Sequence, residues 1–86
     1  EIDKSIIEHV YPNPFVDDFY ILFRSDSDQS IDLFLDDQLG NRVFKKTIQV
    51  SKGINKVHIN KTTSICSGCY FITIGASSTK VIKARI

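Results

Sequence analysis

Two cysteines three positions apart are the residues best suited to chemistry in this 86-residue chain. Cys66 and Cys69 form a C-x-x-C pattern, a spacing used by thioredoxin-type redox sites and by zinc sites. A redox site of that type needs its first cysteine at a helix N-terminus, where the helix dipole lowers the thiol pKa. Because Cys69 instead enters a strand-like run, the pattern argues against a redox site.

A zinc site also finds little support, because it needs about four ligands. Only His9 and His58 could join the two cysteines. Two other interpretations stay open. The cysteines could form a local disulfide in an oxidising compartment. They could also be free, partly buried thiols that fill small apolar positions, which is the interpretation we favour.

The other candidates for catalysis or metal binding lack partners in the sequence. His9 and His58 are expected to be solvated strand residues, because no Ser, Cys and His form a nucleophile motif. The segment 26–28 (Asp-Ser-Asp) lacks the further ligands and the Gly-to-Glu spacing of a calcium loop. The sequon at 60–62 is a common chance match. We therefore expect no enzymatic activity, no cofactor and no metal site.

The clearest strand signal runs from Gly68 to Gly75, an aromatic and β-branched run with glycines at both ends. Its residues alternate between two faces. One face carries Tyr70, Ile72 and Ile74, and the other carries Phe71 and Thr73. A strand that is apolar on one face and half apolar on the other is expected in the interior of a sandwich.

Six further strands are predicted at 6–10, 19–23, 31–35, 42–50, 55–60 and 79–86. The first runs into 11–15 (Tyr-Pro-Asn-Pro-Phe), and because proline cannot donate to a ladder, we expect an edge strand that turns a corner. In the last strand, after a turn at 76–78, Ile82, Ala84 and Ile86 are expected to share one face. The predicted core contains Ile21, Leu33, Leu35, Tyr70, Ile72 and Ile74.

Short strands with turn signals about ten residues apart, and no amphipathic helix, predict an all-β fold. We expect a seven-stranded antiparallel immunoglobulin-like β-sandwich. Residues 1–86 would form a single domain, with 1–5 as the end of an upstream linker. The chain begins with Glu and is expected to be part of a longer protein. It has no run of 18 apolar residues, so no transmembrane segment is predicted.

Charge is distributed unevenly along the chain although the net charge is only +1. All ten acidic residues lie at or before Asp37, and nine of the eleven Lys and Arg residues follow it. Early and late strands interleave in a sandwich, so the two halves could neutralise each other across strands. The alternative is an exposed basic face. We favour neutralisation and expect no nucleic-acid partner.

Five segments in a fixed order resemble one family of domains. They are 11–15 (Tyr-Pro-Asn-Pro-Phe), 36–43 (Asp-Asp-Gln-Leu-Gly-Asn-Arg-Val), 53–55 (Gly-Ile-Asn), 67–72 (Ser-Gly-Cys-Tyr-Phe-Ile) and 80–83 (Lys-Val-Ile-Lys). The chain from about residue 7 to 86 resembles the type A C-terminal sorting domain of the type IX (Por) secretion system of Bacteroidetes-type bacteria.

This resemblance implies a domain at the C-terminal end of a larger cargo, exported to the periplasm and then to the cell surface or medium. An outer-membrane translocon would recognise the domain, and a sortase-like surface cysteine peptidase would remove it. The cargo is often then attached to an anionic lipopolysaccharide. The positions that we expect the translocon to recognise are Pro12, Asn13, Pro14, Gly40, Gly68, Tyr70, Lys80 and Lys83.

The chain departs from the family pattern at two places. Cys69 stands where an aliphatic residue is usual, and Ile86 extends beyond the final Lys83. The segment 12–14 could serve only as a structural corner, although we favour a corner that is also recognised. A different class of function, a passive β-sandwich module that spaces domains or binds glycans, stays as the alternative. Its only outward-facing aromatic candidates are Tyr20 and Phe34.

Overall fold

The computed structural model of the chain describes residues 4–60 and 65–85, which contain seven strands and no helix. The strands are β1 (Ile6–Tyr11), β2 (Phe19–Ser25), β3 (Gln29–Asp37), β4 (Arg42–Val50), β5 (Gly53–Ile59), β6 (Gly68–Ile74) and β7 (Ser77–Lys83). All seven predicted strands are therefore present. The third strand is longer than predicted, and the last begins and ends earlier.

The strands form two antiparallel sheets, as the alternation of apolar residues predicts. The first sheet has the order β1-β2-β5 and the second has the order β4-β3-β6-β7. In a constant-type immunoglobulin domain the fourth strand pairs with the fifth. Here β4 instead pairs with β3, through a hairpin, at the edge of the four-stranded sheet. The predicted positions of two strands are confirmed, because β6 is interior and β1 is an edge strand.

The core lies between the sheets and is built from the inward residues of every strand. All six predicted core residues are buried, with Tyr70 the most exposed at 6%. Burial of each such side chain contributes about 1.5–3 kcal/mol to stability. Phe15 is also fully buried, which the strand pattern did not indicate because this residue lies outside every predicted strand.

The predicted bounds of the last strand are wrong, and Ile82 does not lie on its core side. β7 ends at Lys83, Ile82 is 39% exposed and the fully buried residue is Val81, while Ile86 lies outside the described residues. The turn between β6 and β7 determines which residues of β7 face the core. Gly75 adopts a φ of +59°, which allows a two-residue loop, so Ser77 pairs with Ile74. That register places Val81 opposite Tyr70 on the core side.

Candidate recognition surface

The side chain of Asn13 completes the outer edge of β7. Its Oδ1 accepts a hydrogen bond from the Ile82 amide at 2.9 Å, and its Nδ2 donates to the Lys80 carbonyl at 3.3 Å. A primary amide carries both a donor and an acceptor, so it can replace a peptide group in a ladder. This part of the β7 edge is thus hydrogen-bonded instead of open to another strand.

Phe15 continues the same contact toward the end of the chain. Its amide donates to the Ile82 carbonyl at 2.8 Å, and its carbonyl accepts from the Ala84 amide at 2.7 Å. The fully buried ring packs against Phe19, with ring centroids 4.6 Å apart. The proline corner is therefore a short parallel addition to β7, anchored in the core by one aromatic side chain.

This arrangement brings four predicted recognition residues together. Pro12, Asn13, Pro14 and Lys80 are all exposed and follow the β7 edge, and we name them the corner strip. Within the described part of the chain, Lys80 makes no ion pair. The strip therefore presents two proline rings beside one cationic side chain on a backbone that hydrogen bonds hold in place.

The other four predicted residues belong to the end of the four-stranded sheet. Gly68 pairs with Lys83 across β6 and β7, and Gly40 lies in the β3–β4 hairpin turn with a φ of +87°. A shallow groove of about 280 Å³ separates that turn from the segment 67–70. The predicted recognition residues thus fall into two groups, which meet where Phe15 bridges to Lys83.

Tyr70 is buried and supports this end from within. Its hydroxyl donates a hydrogen bond to the Cys66 carbonyl at 2.5 Å. Burial, with smaller contributions from Cys66 and Asp37, raises the pKa of the Tyr70 phenol. Lys83 binds the same segment, because its Nζ donates a hydrogen bond to the Ile65 carbonyl at 2.9 Å. Both side chains thus hold the segment that precedes β6.

The β3–β4 turn is organised by the carboxylate of Asp37. This carboxylate accepts hydrogen bonds from the amides of Asn41 and Leu39, at 2.8 and 2.9 Å, and from the Asn41 side chain at 3.2 Å. These hydrogen bonds, that from the Asn41 amide first, lower the pKa of Asp37. The ionised side chain therefore fixes the loop that contains Gly40.

The two cysteines lie near the surface. Cys69 is half-buried, as expected of a small filler, but Cys66 is exposed, so the prediction that both thiols are partly buried is wrong for Cys66. Both are free thiols in the structure. Across residues 4–60 and 65–85, no three His, Cys, Asp or Glu side chains are grouped as metal ligands.

The remaining polar candidates have structural partners. The exposed His58 ring forms a hydrogen bond with the Asp18 carboxylate at 2.7 Å. Asp26 and Asp28 accept hydrogen bonds from the amides of Lys4 and Lys52. These contacts tie the 26–28 loop to neighbouring segments. Of the sequon at 60–62, positions 61 and 62 lie outside the described residues.

The two aromatic residues considered for glycan binding have covered ring faces. Tyr20 stacks between Tyr11 and His58, with ring centroids 5.6 and 4.5 Å apart. The Arg42 guanidinium lies 3.7 Å from the centroid of the Phe34 ring. A sugar that stacks on an aromatic face would first have to displace these neighbours, so neither ring offers a flat open platform.

The charged halves of the chain neutralise each other only in part. An ion pair joins Arg42 to Asp36, and hydrogen bonds join His58 to Asp18 and Thr47 to Asp32. Several later lysines make no ion pair with any residue in 4–60 or 65–85; they are Lys45, Lys46, Lys56 and Lys80. Basic side chains therefore stay available on several faces.

Comparison with protein families gives a match over residues 9–86 to the secretion system C-terminal sorting domain. The chain belongs to this family. The sorting domain thus carries a C-terminal sorting signal for type IX secretion, and its protein is exported through that system. A search of curated proteins finds no match. None of the described residues form a helix of the length and hydrophobicity that a bilayer span requires.

The match includes all eight residues that the sequence analysis proposed for recognition. Sequence reasoning missed the residues that hold them: the Phe15 ring, the Ile82 backbone and the Ile65 carbonyl. A weak signal existed for Phe15, because an aromatic residue directly after a proline corner has few other ways to bury its ring. The backbone partners had no signal in the residue types.

Proposed function

We propose that this sorting domain directs an upstream cargo in the same chain across the outer membrane, and that the translocon reads the corner strip. The observation that supports this is the double hydrogen bond of Asn13 to β7. It couples a corner near the start of the domain to the strand near its end. Only a folded domain presents both together, so export would be restricted to folded sorting domains.

Rigid presentation is what makes the corner strip suited to recognition. A prefolded surface loses little conformational entropy when a partner binds, so its few side chains contribute more to affinity. The prolines restrict the corner backbone, and Phe15 anchors it in the core. Gly68, Tyr70 and Lys83 would then act by holding β7 in place, and Gly40 by shaping the neighbouring turn.

We further propose that a surface peptidase removes the domain by cutting N-terminal to Lys4. Peptidases require an extended, accessible backbone. The Lys4 amide donates to Asp26, and the Ser5 hydroxyl accepts from the Asp26 amide at 2.9 Å. These hydrogen bonds hold residues 4 and 5 against the 26–28 loop, which favours a cut before Lys4 over a cut between residues 4 and 5.

A reporter fusion tests the proposal. Residues 1–86 are placed after a periplasmic reporter in a host with a working type IX system, and reporter is measured in the periplasm, on the surface and in the medium. We expect export of the parent fusion and retention of Asn13→Ala and Lys80→Ala fusions. Lys52→Ala is the control and should be exported, because Lys52 lies in the β4–β5 turn, at the opposite end of the β2–β5 ladder from Phe19 and the corner.

Two results would contradict the proposal at different levels. Periplasmic retention of the parent fusion would show that these residues do not suffice for sorting. Full export of a folded Asn13→Ala, Lys80→Ala double variant would show that the corner strip is not what the translocon reads. Amide hydrogen exchange at Ile82 reports separately whether the Asn13 contact has been lost.

A further inference from the structure

The outer face of the four-stranded sheet carries two neighbouring apolar side chains. Phe71 and Ile82 are each 39% exposed. In the β6–β7 ladder Phe71 lies opposite Lys80 and Cys69 lies opposite Ile82, so the two apolar side chains are diagonal neighbours on one face. We name Phe71, Ile82 and the half-buried Cys69 the outer patch.

On the outer face of the other sheet the aromatic side chain contacts its neighbours, although the aliphatic residues Ile6 and Ile54 are 49% and 51% exposed there. There Tyr20 stacks on its neighbours, Lys56 lies 4.6 Å from the Tyr20 ring centroid, and Arg24 pairs with Glu8 at 2.7 Å. Phe71 has no such contact: no ring or cation within the described ranges lies against it. Phe71 thus differs from Tyr20 and also from Phe34, whose ring is covered by the Arg42 guanidinium.

Two lysines without ion pairs to the described residues lie on the face of the sheet that carries the outer patch, where Asp32 accepts a hydrogen bond from Thr47. Lys80 lies directly opposite Phe71, and Lys45 lies opposite Phe34 on the same face of the sheet. Neither lysine forms an ion pair with the described residues. Asp36, which faces Phe71 from the other side, is already paired with Arg42 at 3.1 Å. A partner surface that complements this face would carry carboxylates.

We propose that the outer patch docks a protein of the secretion system through a surface with an apolar centre and an acidic rim. Aromatic residues are enriched at protein interfaces, and the residues that contribute most to binding lie in an apolar centre within a polar rim. A lipid surface is the weaker interpretation, because polybasic lipid sites usually cluster four or more cations. The inference rests on the proposed function, since it specifies the chemistry of the partner that reads the domain.

Binding of the folded domain to the detergent-solubilised outer-membrane translocon tests this inference. We expect Phe71→Ala to raise the Kd about tenfold or more, and Ile82→Ser to do so by a smaller factor. Ile54→Ala is the matched control, because Ile54 is 51% exposed on the outer face of the other sheet. Lys45→Glu should weaken binding, most strongly at low salt.

The controls separate this inference from the proposed function. Thermal melts confirm that each variant is folded, which we expect because the altered side chains point away from the core. If Phe71→Ala and Ile82→Ser bind as the parent does while Asn13→Ala and Lys80→Ala do not, the outer patch is not a docking site and the corner strip stands. If vesicles with anionic phospholipid bind the parent but not Phe71→Ala, the patch contacts lipid and protein docking is wrong.

Discussion

Lys46 lies opposite Leu33 in the β3–β4 ladder, on the side of the sheet that faces the core. Leu33 is 1% exposed, yet Lys46 is exposed because β4 is an edge strand and its side chain can reach solvent past the rim of the sandwich. The flanking residues of the same phase, Phe44 and Ile48, pack against or in the core. An inward-directed charge on an edge strand opposes pairing with a second chain.

We therefore expect Lys46→Val to promote self-association through β4. The substitution removes the charge that would have to be buried between two paired edges, and valine has a high β-propensity. Sedimentation velocity over a range of protein concentrations measures the effect. Lys45→Val, which alters the outward face of the same strand, is the control and should associate less. A Lys46→Val variant that stays as monomeric as the parent would contradict this role.

The partly buried hydroxyl of Tyr70 is expected to contribute to stability through its hydrogen bond to the Cys66 carbonyl. Tyr70→Phe should lower the free energy of unfolding by about 0.5–1.5 kcal/mol, because it removes one partly buried hydrogen bond and leaves the ring in place. Urea denaturation measures the change. Tyr20→Phe is the control, since the Tyr20 hydroxyl makes no hydrogen bond in the described residues. Equal effects of both substitutions would contradict the prediction.

Alkaline pH should destabilise the domain through the same residue. The folded-state pKa of Tyr70 is raised above the unfolded value near 10, so the folded state favours the neutral phenol. The associated stability is complete below pH 10 and decreases as the pH rises through the folded pKa. Denaturation midpoints measured from pH 8 to 11 should fall more steeply for the parent than for Tyr70→Phe. Parallel curves would show that Tyr70 ionisation is not linked to folding.

Asp37 is expected to have the opposite dependence on pH. Its folded-state pKa is lowered below 3.8, so its contribution to stability is present above that value and decreases as the pH falls through the folded pKa. Asp37→Asn keeps an oxygen that can accept from the Asn41 amide but has no charge to lose. The melting temperature of this variant, measured between pH 2 and 6, should therefore decrease less at acid pH than that of the parent. If the melting temperatures of variant and parent decrease equally at acid pH, Asp37 protonation is not linked to stability.

Among the residues of the corner, Phe15 is expected to contribute most to the free energy of unfolding. Phe15→Ala is expected to lower the free energy of unfolding by about 3–5 kcal/mol, because it leaves a cavity in the core. Leu39→Ala, at a position 86% exposed, should change it by no more than about 0.5 kcal/mol. If Phe15→Ala fails to fold, Phe15→Leu gives a smaller, measurable loss. A loss from Phe15→Ala no larger than that from Leu39→Ala would show that the corner is not anchored.

Local patterns in the sequence were enough for the strands and for six of the fourteen buried hydrophobic residues in the described part of the chain. Alternation of apolar and polar residues determines which side chains of a strand share a face, and glycines mark where the chain can turn. Both signals are local, so they identified β6 as interior, β1 as an edge and all six proposed core residues. The ordered motifs also identified the sorting domain family.

The tertiary structure decided the features that depend on residues far apart in the chain. Asn13 and Ile82 are separated by 69 positions, and no periodicity within either segment indicates that one completes the edge of the other. The length of the turn at Gly75 set the register of β7, which turned Val81 inward and left Ile82 on the outer patch. A one-residue difference in register reverses every side chain of a strand. Which apolar residues are covered and which stay available to a partner was therefore settled by the turn and by long-range pairing, which residue types alone do not specify.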